Sequence, residues 1–317
     1  MQIRQLLPGK GFCFYLLYTL IVLVFLLWLR FPVDAVRARV ESDLNKMTPD
    51  FNWSIGKIGL SFPLDIRFDN IKIGKKNKGK KEVVLLMDFF SLRPDLAAWQ
   101  KSGTWSAGYR IKMLKTGNIR GTLELTKDHN FLQCTATVQG IRLDHPYLGK
   151  IFREYDRTVS GHLSGDFVGT WEVQQGIFTK LTTDNVKLNK GKINLHKPIL
   201  GMSQLVFDQL SGRMKYHGGL VQVNDGKMES RLFSSQFSGT LQPNASVSLS
   251  KLKLKGSLLP RSEFMASIGN ATVENTLKRQ LREGRLPFTI TGSLKEPGII
   301  FPGLPANLGK RLEKRNR

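Results

Sequence analysis

Cysteine and histidine are scarce in this sequence, which leaves little for a metal centre. The chain has 2 cysteines and 5 histidines in 317 residues. Cys13 lies in the most hydrophobic segment, so we expect no structural disulfide between it and Cys134. The histidines, at positions 129, 145, 162, 196 and 217, lack the spacing of metal ligands. We therefore expect neither a metal nor a cofactor.

The motifs of the common enzyme classes are also missing. The sequence has no G-x-S-x-G elbow, no phosphate-binding loop and no H-E-x-x-H helix. Asp128–His129 and Asp144–His145 are adjacent pairs, but neighbours on a strand point to opposite faces and form no relay. We expect that the protein is not an enzyme and has no catalytic residues.

Acidic residues are few compared with basic ones. The chain has 25 Asp+Glu against 48 Lys+Arg, a net charge of +23. Such a surface favours anionic partners, among them phospholipid headgroups, nucleic acid and acidic protein faces. The densest basic stretch, "GKKNKGKK" at 74–81, contains none of the aromatic residues on which bases would stack. It predicts a solvated hairpin loop, and we expect no nucleic-acid partner.

Long hydrophobic runs are absent with one exception, which lies near the N-terminus. Residues 12–29 carry no charge and, at about 1.5 Å per residue, would cross a bilayer as a helix. Phe12, Leu20 and Trp28 belong to this run, with Trp28 at the end where aromatic residues meet the membrane interface. We predict a transmembrane helix over 12–30.

A cleaved signal peptide is the alternative explanation of this run, with "VRA" at 36–38 as the cleavage site. The apolar segment is longer than a signal peptide needs, and Arg30 follows it directly, so we favour an uncleaved anchor. The flanking charges do not decide its orientation. A short basic tail, 1–11, before a single span favours a cytoplasmic N-terminus with the rest of the chain outside.

After the predicted anchor, apolar residues recur first at helical spacing and then at every second position. Residues 31–48 place Val33, Val36, Val40, Leu44 and Met47 at helical spacing. This segment predicts an amphipathic juxtamembrane helix, which either covers an edge of the following sheet or lies on the bilayer.

The body, 49–300, is predicted to be mainly β with a few helices. Apolar alternation and close turns predict an antiparallel meander, with runs of about eight residues from Thr158 onward. Pro63 suggests a sheet edge or a bulge. Helices are predicted over 93–103 and 262–284, with a weaker helical pattern over 144–157. The tail 301–317 is rich in proline and glycine and then basic, which is typical of partial disorder.

Two local sequence patterns in the body predict features of the sheet surface. Glycine recurs before an apolar residue in "SGHL", "SGTL", "KGSL" and "TGSL", which suggests a repeated bend or close approach in the sheet. In "KLKLK", Lys251, Lys253 and Lys255 alternate with Leu252 and Leu254, so one face would be apolar and the other cationic. These lysines either contact anionic headgroups or a partner, or form an ordinary solvated face.

Three quoted segments resemble known envelope proteins. The opening "WSIGKIGLSFPLDIRFDNIKI" resembles the first strands of AsmA-like proteins, and the closing "LPFTITGSLKEPGIIF" is similar to an ending shared with them. At this length, and with "LRPDLAAWQKSG" after the first hairpin, the chain looks more like the type II secretion system protein N family. The resemblance implies a single-pass protein of the bacterial inner membrane with a periplasmic β-rich domain.

The resemblance leaves two functions open. As a member of the secretion family, the chain would be a non-catalytic accessory component that offers a sheet edge or face to other periplasmic subunits. As an AsmA-like protein, it would curve its sheet into a groove that binds or conducts phospholipid, with basic residues holding headgroups. The secretion role is our first expectation and the lipid role the alternative.

Overall fold

The computed structural model describes residues 14–19, 22, 32–49, 51–61, 65–77, 80–113, 116–145, 159–199, 202–244, 249–267 and 271–302. These residues form a 15-stranded antiparallel sheet with few helices, which confirms the predicted fold class at that level. The strands are β1 Phe51–Ser54, β2 Lys57–Ser61, β3 Asp65–Asn77, β4 Lys80–Pro94, β5 Ser106–Met113, β6 Gly117–Leu125, β7 Phe131–Arg142, β8 Val159–Glu172, β9 Ile177–Ile199, β10 Met202–His217, β11 Leu220–Glu229, β12 Phe233–Gln242, β13 Lys251–Pro260, β14 Leu286–Ser293 and β15 Pro297–Ile300. The helices are α1 Val33–Met47, α2 Leu96–Ser102, α3 Ser262–Ser267 and α4 Ala271–Gln280.

The predicted meander is confirmed by the order of the strands. From β3 to β15 each strand is hydrogen-bonded to its neighbours in sequence, always antiparallel. β1 and β2 both pair with β3, one after the other along the same edge. They act as one edge strand interrupted at Ile55 and Gly56, where the Gly56 N–H still donates to the Asp69 carbonyl at 3.0 Å.

The strands of the second half are longer than predicted. Runs of about eight residues were expected, whereas β8 has 14 residues, β9 has 23 and β10 has 16. Polar residues that commonly form turns, such as Asp184 and Asn189, lie within β9, where register shifts absorb irregular positions. The periodic pattern marked the strands but not where they end.

The prediction of a lysine-rich loop at 74–81 is wrong for most of that segment. β3 continues to Asn77 and β4 begins at Lys80, so Gly74–Asn77 are paired with Lys80–Val83. Residues 78 and 79, between the two strands, lie outside the described residues. Cross-strand backbone hydrogen bonds thus extend the hairpin through the basic residues.

The predicted helices form, but with different bounds. α2 begins after Asp95, whose side chain accepts from the Ala98 N–H at 3.0 Å, and ends at Gly103 in the left-handed conformation. The segment 262–284 contains two short helices, α3 and α4, and its last residues form a tight turn closed by a bridge between Arg282 and Arg285. The helix therefore ends at Gln280, before Gly284.

Other predictions concern the C-terminal end of the sheet and segments that the structure does not describe. The strand β15, at the end of the predicted β-rich body, was not among the predicted strands, and it pairs with β14. Residues 146–158, which hold most of the weak helical pattern, lie outside the described residues, as do Pro63 and the tail from 303.

The predicted anchor is also largely outside the described residues, including Phe12, Leu20 and Trp28. Residues 14–19 are helical. Among the residues that the structure describes, no helix is both long and apolar enough to span a bilayer.

Helix α1 covers the β1–β2 edge, as one of the two alternatives predicted. Its residues Val36, Val40 and Leu44 pack against a buried cluster of Ile55, Ile58, Ile71 and Ile73. The Asn45 side chain accepts from the Trp53 N–H at 2.9 Å, and the Glu41 carboxylate accepts from the Ile55 N–H at 2.6 Å. These bonds satisfy backbone donors at an edge that would otherwise be free to pair with another chain.

Candidate functional site

The strand register places three rows of mainly apolar residues on a single face of the sheet. One cross-strand row runs through Phe68, Phe90, Ile111, Ile119 and Val138. A second runs through Leu163, Leu188, Leu210, Met228, Ser235, Leu258 and Leu286. A third runs through Met214, Val223, Gly239, Leu254, Ile290 and Ile299. We call the surface defined by these three rows the apolar face.

The first two rows meet in one contact cluster. Val138 and Ile141 are buried together, with Ile119 and Leu163 packed against them. The apolar face is therefore continuous from the N-terminal to the C-terminal half of the sheet. At about 4.8 Å per strand, it extends over roughly 60 Å.

Residues with positive φ mark two places where the alternation of apolar residues on this face changes phase. In β3, the apolar positions shift from Phe68 to Ile71, and Asn70 between them has φ of 55°. In β9 the shift from Leu188 to Ile193 contains Lys190, with φ of 51°. At Lys190, β9 also has an extra residue relative to β8, and such a bulge restores the face on which the next side chain points. Broken alternation in the sequence thus corresponds to an unbroken surface.

The ends of the apolar face are covered by helices. α1 lies over the start of the sheet, and Phe264 of α3 contacts Phe233 edge-to-face with ring centroids 6.4 Å apart. Among the described residues, no helix makes extensive contact with the strands between β6 and β11. Side chains such as Ile119, Met214 and Val223 accordingly remain partly exposed. Among the described residues, the middle of the face is thus a partly exposed apolar surface.

Aromatic rings lie over glycines on the apolar face, which explains much of the glycine content of the strands. A Cβ on Gly191 would lie 2.1 Å from the Phe207 ring, and one on Gly226 would lie 2.4 Å from the Phe237 ring. Among the recurrent glycines singled out in the sequence, Gly239 approaches its neighbour most closely: a Cβ there would lie 2.1 Å from the Lys253 carbonyl oxygen. The predicted close approach in the sheet is confirmed at this position.

Replacing Gly191 by alanine is expected to lower the free energy of unfolding by about 1–3 kcal/mol, because the Phe207 ring cannot move aside within a packed site. Gly59→Ala is the matched control, since nothing lies within 4 Å of a Cβ at that position in β2. Denaturant unfolding of both variants, in the same detergent, checks the difference. Equal stability of the two would show that the ring does not lie over Gly191.

The opposite face of the sheet is polar and basic. Lys251, Lys253 and Lys255 lie there on β13, exposed to solvent, as their alternation with leucine predicted. Their cross-strand neighbours on β12 and β14 are serine, threonine and glutamine. Within the described part of the chain, these lysines have no ion pair, so they are available to an anion but form no enclosed site.

Cys134 lies on the apolar face, where a Cβ on Gly169 would lie 3.0 Å from its Sγ. It is a free thiol. Burial raises the pKa of this thiol, and the Gly169 backbone hydrogen bond offsets the shift only in part. Burial also raises the pKa of Tyr109, whose hydroxyl donates to the Thr135 carbonyl at 2.9 Å. The polar atoms of Tyr109 and Cys134 therefore stay in their neutral forms near neutral pH.

The raised pKa of Cys134 predicts slow alkylation that keeps accelerating with pH. The thiolate is the reactive form, so alkylation of an unperturbed thiol levels off above about pH 8.5, whereas the rate at Cys134 should still rise beyond that pH. Mass spectrometry of the Cys134 peptide measures its rate separately from Cys13. The denatured chain is the control, and identical pH profiles in the two states would contradict the burial of the thiol.

The described residues contain no group of three or more His, Cys, Asp or Glu side chains that could hold a metal ion. On the polar face, several arginines are paired with carboxylates, among them Arg213 with Asp225 and Arg261 with Glu229. No family model, no curated protein and no solved structure matches the chain.

Proposed function

We propose that the chain is a non-catalytic bacterial envelope protein that binds phospholipid acyl chains on its apolar face. In this proposal, residues 12–30 anchor it in the inner membrane, the N-terminus is cytoplasmic, and the sheet lies in the periplasm and curves around the acyl chains. The single observation that carries the proposal is the continuity of the apolar face across the sheet.

The extent of this face favours an elongated apolar ligand. Soluble monomers rarely expose contiguous apolar patches larger than a few hundred Å². A face of roughly 60 Å is about twice the thickness of the hydrocarbon core of a bilayer. This length exceeds what one small ligand would need and suits acyl chains that lie along or move across successive strands.

The chemistry of the face also favours acyl chains. Tyr109 turns its hydroxyl to the Thr135 backbone and so offers little to a polar ligand. Gly191 and Gly226 let the aromatic rings lie flat over the strands. An acyl chain has no hydrogen-bonding groups to satisfy, and burial of its methylenes gains about 0.8 kcal/mol each.

An accessory role in type II secretion is the second candidate, and the C-terminal edge of the sheet favours it. β15 pairs only with Thr289–Gly292 of β14. Among the described residues, Leu286–Phe288 therefore have no strand partner on that side. An extended segment of another subunit could pair with this edge.

Deletion of the gene separates the two candidates. The lipid role predicts sensitivity to detergent and altered phospholipid distribution, with secreted proteins reaching the medium normally. The secretion role predicts folded exoproteins retained in the periplasm behind an intact permeability barrier.

Extraction of the purified full-length protein should in addition yield bound phospholipid. The absence of bound phospholipid would contradict the lipid role.

A further inference from the structure

We propose that the polar face carries a binding site for a phosphoryl group, built around Arg93, Arg110 and Arg120. These arginines line a recess of about 460 Å³ on strands β4, β5 and β6. The three arginines lie on the face opposite the acyl-binding surface, and the site does not depend on the proposed lipid role.

The register explains how the arginines come together. Arg110 is directly opposite Arg120, and Arg93 is directly opposite Gly108. Directly opposed residues have Cβ atoms about 5 Å apart, so like charges in such a pair repel each other. In the described part of the chain, none of the three guanidinium groups has an ion pair. A bound dianion would relieve this repulsion.

Gly108 leaves room for a ligand in the recess because it has no side chain. It lies between Arg93 and Thr122 on the same face, and a Cβ added to it would have no neighbour nearer than 4.0 Å. The absent side chain leaves the floor of the recess open to a ligand oxygen. Its conformation does not require glycine, so the recess can be filled by substitution without strain.

The walls supply neutral donors beside the charges. Ser91 and Thr122 line the recess and supply hydroxyl donors, with Thr122 Oγ1 2.7 Å from Thr135 Oγ1. Thr137 also lines it, but its hydroxyl already donates to Asp166 at 2.8 Å. Asp65 also lines the recess, so three positive charges face one negative charge there. Guanidinium groups bind phosphate oxygens in bidentate geometry, which favours a phosphoryl group over a halide.

Other arginines of the polar face are already occupied. Arg67 donates to Asp69 at 2.8 Å and lies over the Phe89 ring at 4.4 Å. Arg142 pairs with Asp144 at 2.9 Å. The recess thus differs from the general positive charge of the surface in having three unpaired arginines around a cavity.

Phosphate binding to the purified full-length protein tests the site. Titration with inorganic phosphate and with glycerol 3-phosphate, in a neutral detergent, should give saturable binding that raises the melting temperature. Arg93→Gln/Arg110→Gln/Arg120→Gln should weaken it at least tenfold. The control Lys180→Gln/Lys215→Gln/Lys227→Gln removes the same charge from exposed lysines of the same face and should change affinity less than twofold. Equal losses in the two variants, or no saturable binding by the parent protein, would overturn the proposal.

Gly108→Val keeps every arginine and fills the recess. It should weaken phosphate binding at least fivefold without lowering the melting temperature of the unliganded protein. Unchanged affinity in this variant would overturn the proposed place of binding.

Vesicles identify the source of the phosphoryl group. If phosphatidylglycerol vesicles bind the parent protein, lose binding in the triple arginine variant and are displaced by glycerol 3-phosphate, the ligand is a lipid headgroup. If phosphate binds but vesicle binding is insensitive to the arginines, the ligand is a soluble phosphate compound. Both results support the site.

Discussion

Replacing Phe207 by alanine should lower the free energy of unfolding by about 3–5 kcal/mol, the largest loss we expect from a single substitution in the sheet. The side chain is 2% exposed and its ring lies over Gly191 on the neighbouring strand. Truncation removes the ring and leaves a cavity that the glycine cannot fill. Denaturant unfolding followed by tryptophan fluorescence measures the loss.

Val206 supplies the control for this prediction. It is the preceding residue of β10 and is 60% exposed, so Val206→Ala should change stability by no more than about 0.5 kcal/mol. A double-mutant cycle makes the test sharper. The cost of Gly191→Ala comes from the ring, so it should largely disappear when Phe207 is already alanine. Additive effects would contradict the direct contact between the two positions.

Placing a carboxylate on the apolar face should remove bound lipid. Val223 is half-buried in β11, opposite Met214 and Gly239. In Val223→Asp, the charge would have to be buried against acyl chains without a partner, and we expect at least about a tenfold loss of affinity. Phospholipid recovered per mole of purified protein, together with exchange of a fluorescent lipid, measures it.

Gln222→Asp is the matched variant, because it adds the same charge one residue earlier on the polar face. It should retain lipid at the parent level. Val223→Leu keeps the face apolar and should also retain lipid, which separates the effect of charge from that of altered shape. Equal loss of lipid in the two aspartate variants would show that the effect is electrostatic and not specific to the apolar face.

Much of the fold could be predicted from the sequence, because the alternation of apolar and polar residues follows the period of a strand. The meander, the cover of the first edge by Val36, Val40 and Leu44, and the opposite faces of Leu252 and Lys253 all follow from that pattern. The bounds of long strands did not follow, since turn-forming residues inside β9 are tolerated at register shifts.

The continuity of the apolar face was not predicted. It depends on irregular positions such as Asn70 and Lys190, where the alternation changes phase and φ is positive, and at Lys190 β9 also has an extra residue relative to β8. The sequence carries a usable signal, an apolar alternation that shifts by one residue next to Asn, Asp or Gly. The arginine recess was also missed, because Arg93, Gly108 and Arg120 are far apart in sequence and only the register brings them together.

Site-specific photo-cross-linking in living cells tests the central proposal most directly. A photoreactive phenylalanine analogue is placed at Ile111, on the apolar face of β5, or at Lys112, the next residue on the polar face. We predict that phospholipid becomes attached at position 111 and not at position 112, and that Val223→Asp reduces the yield at 111. Equal yields at the two positions, or protein cross-links without lipid at 111, would contradict an acyl-binding role for the apolar face.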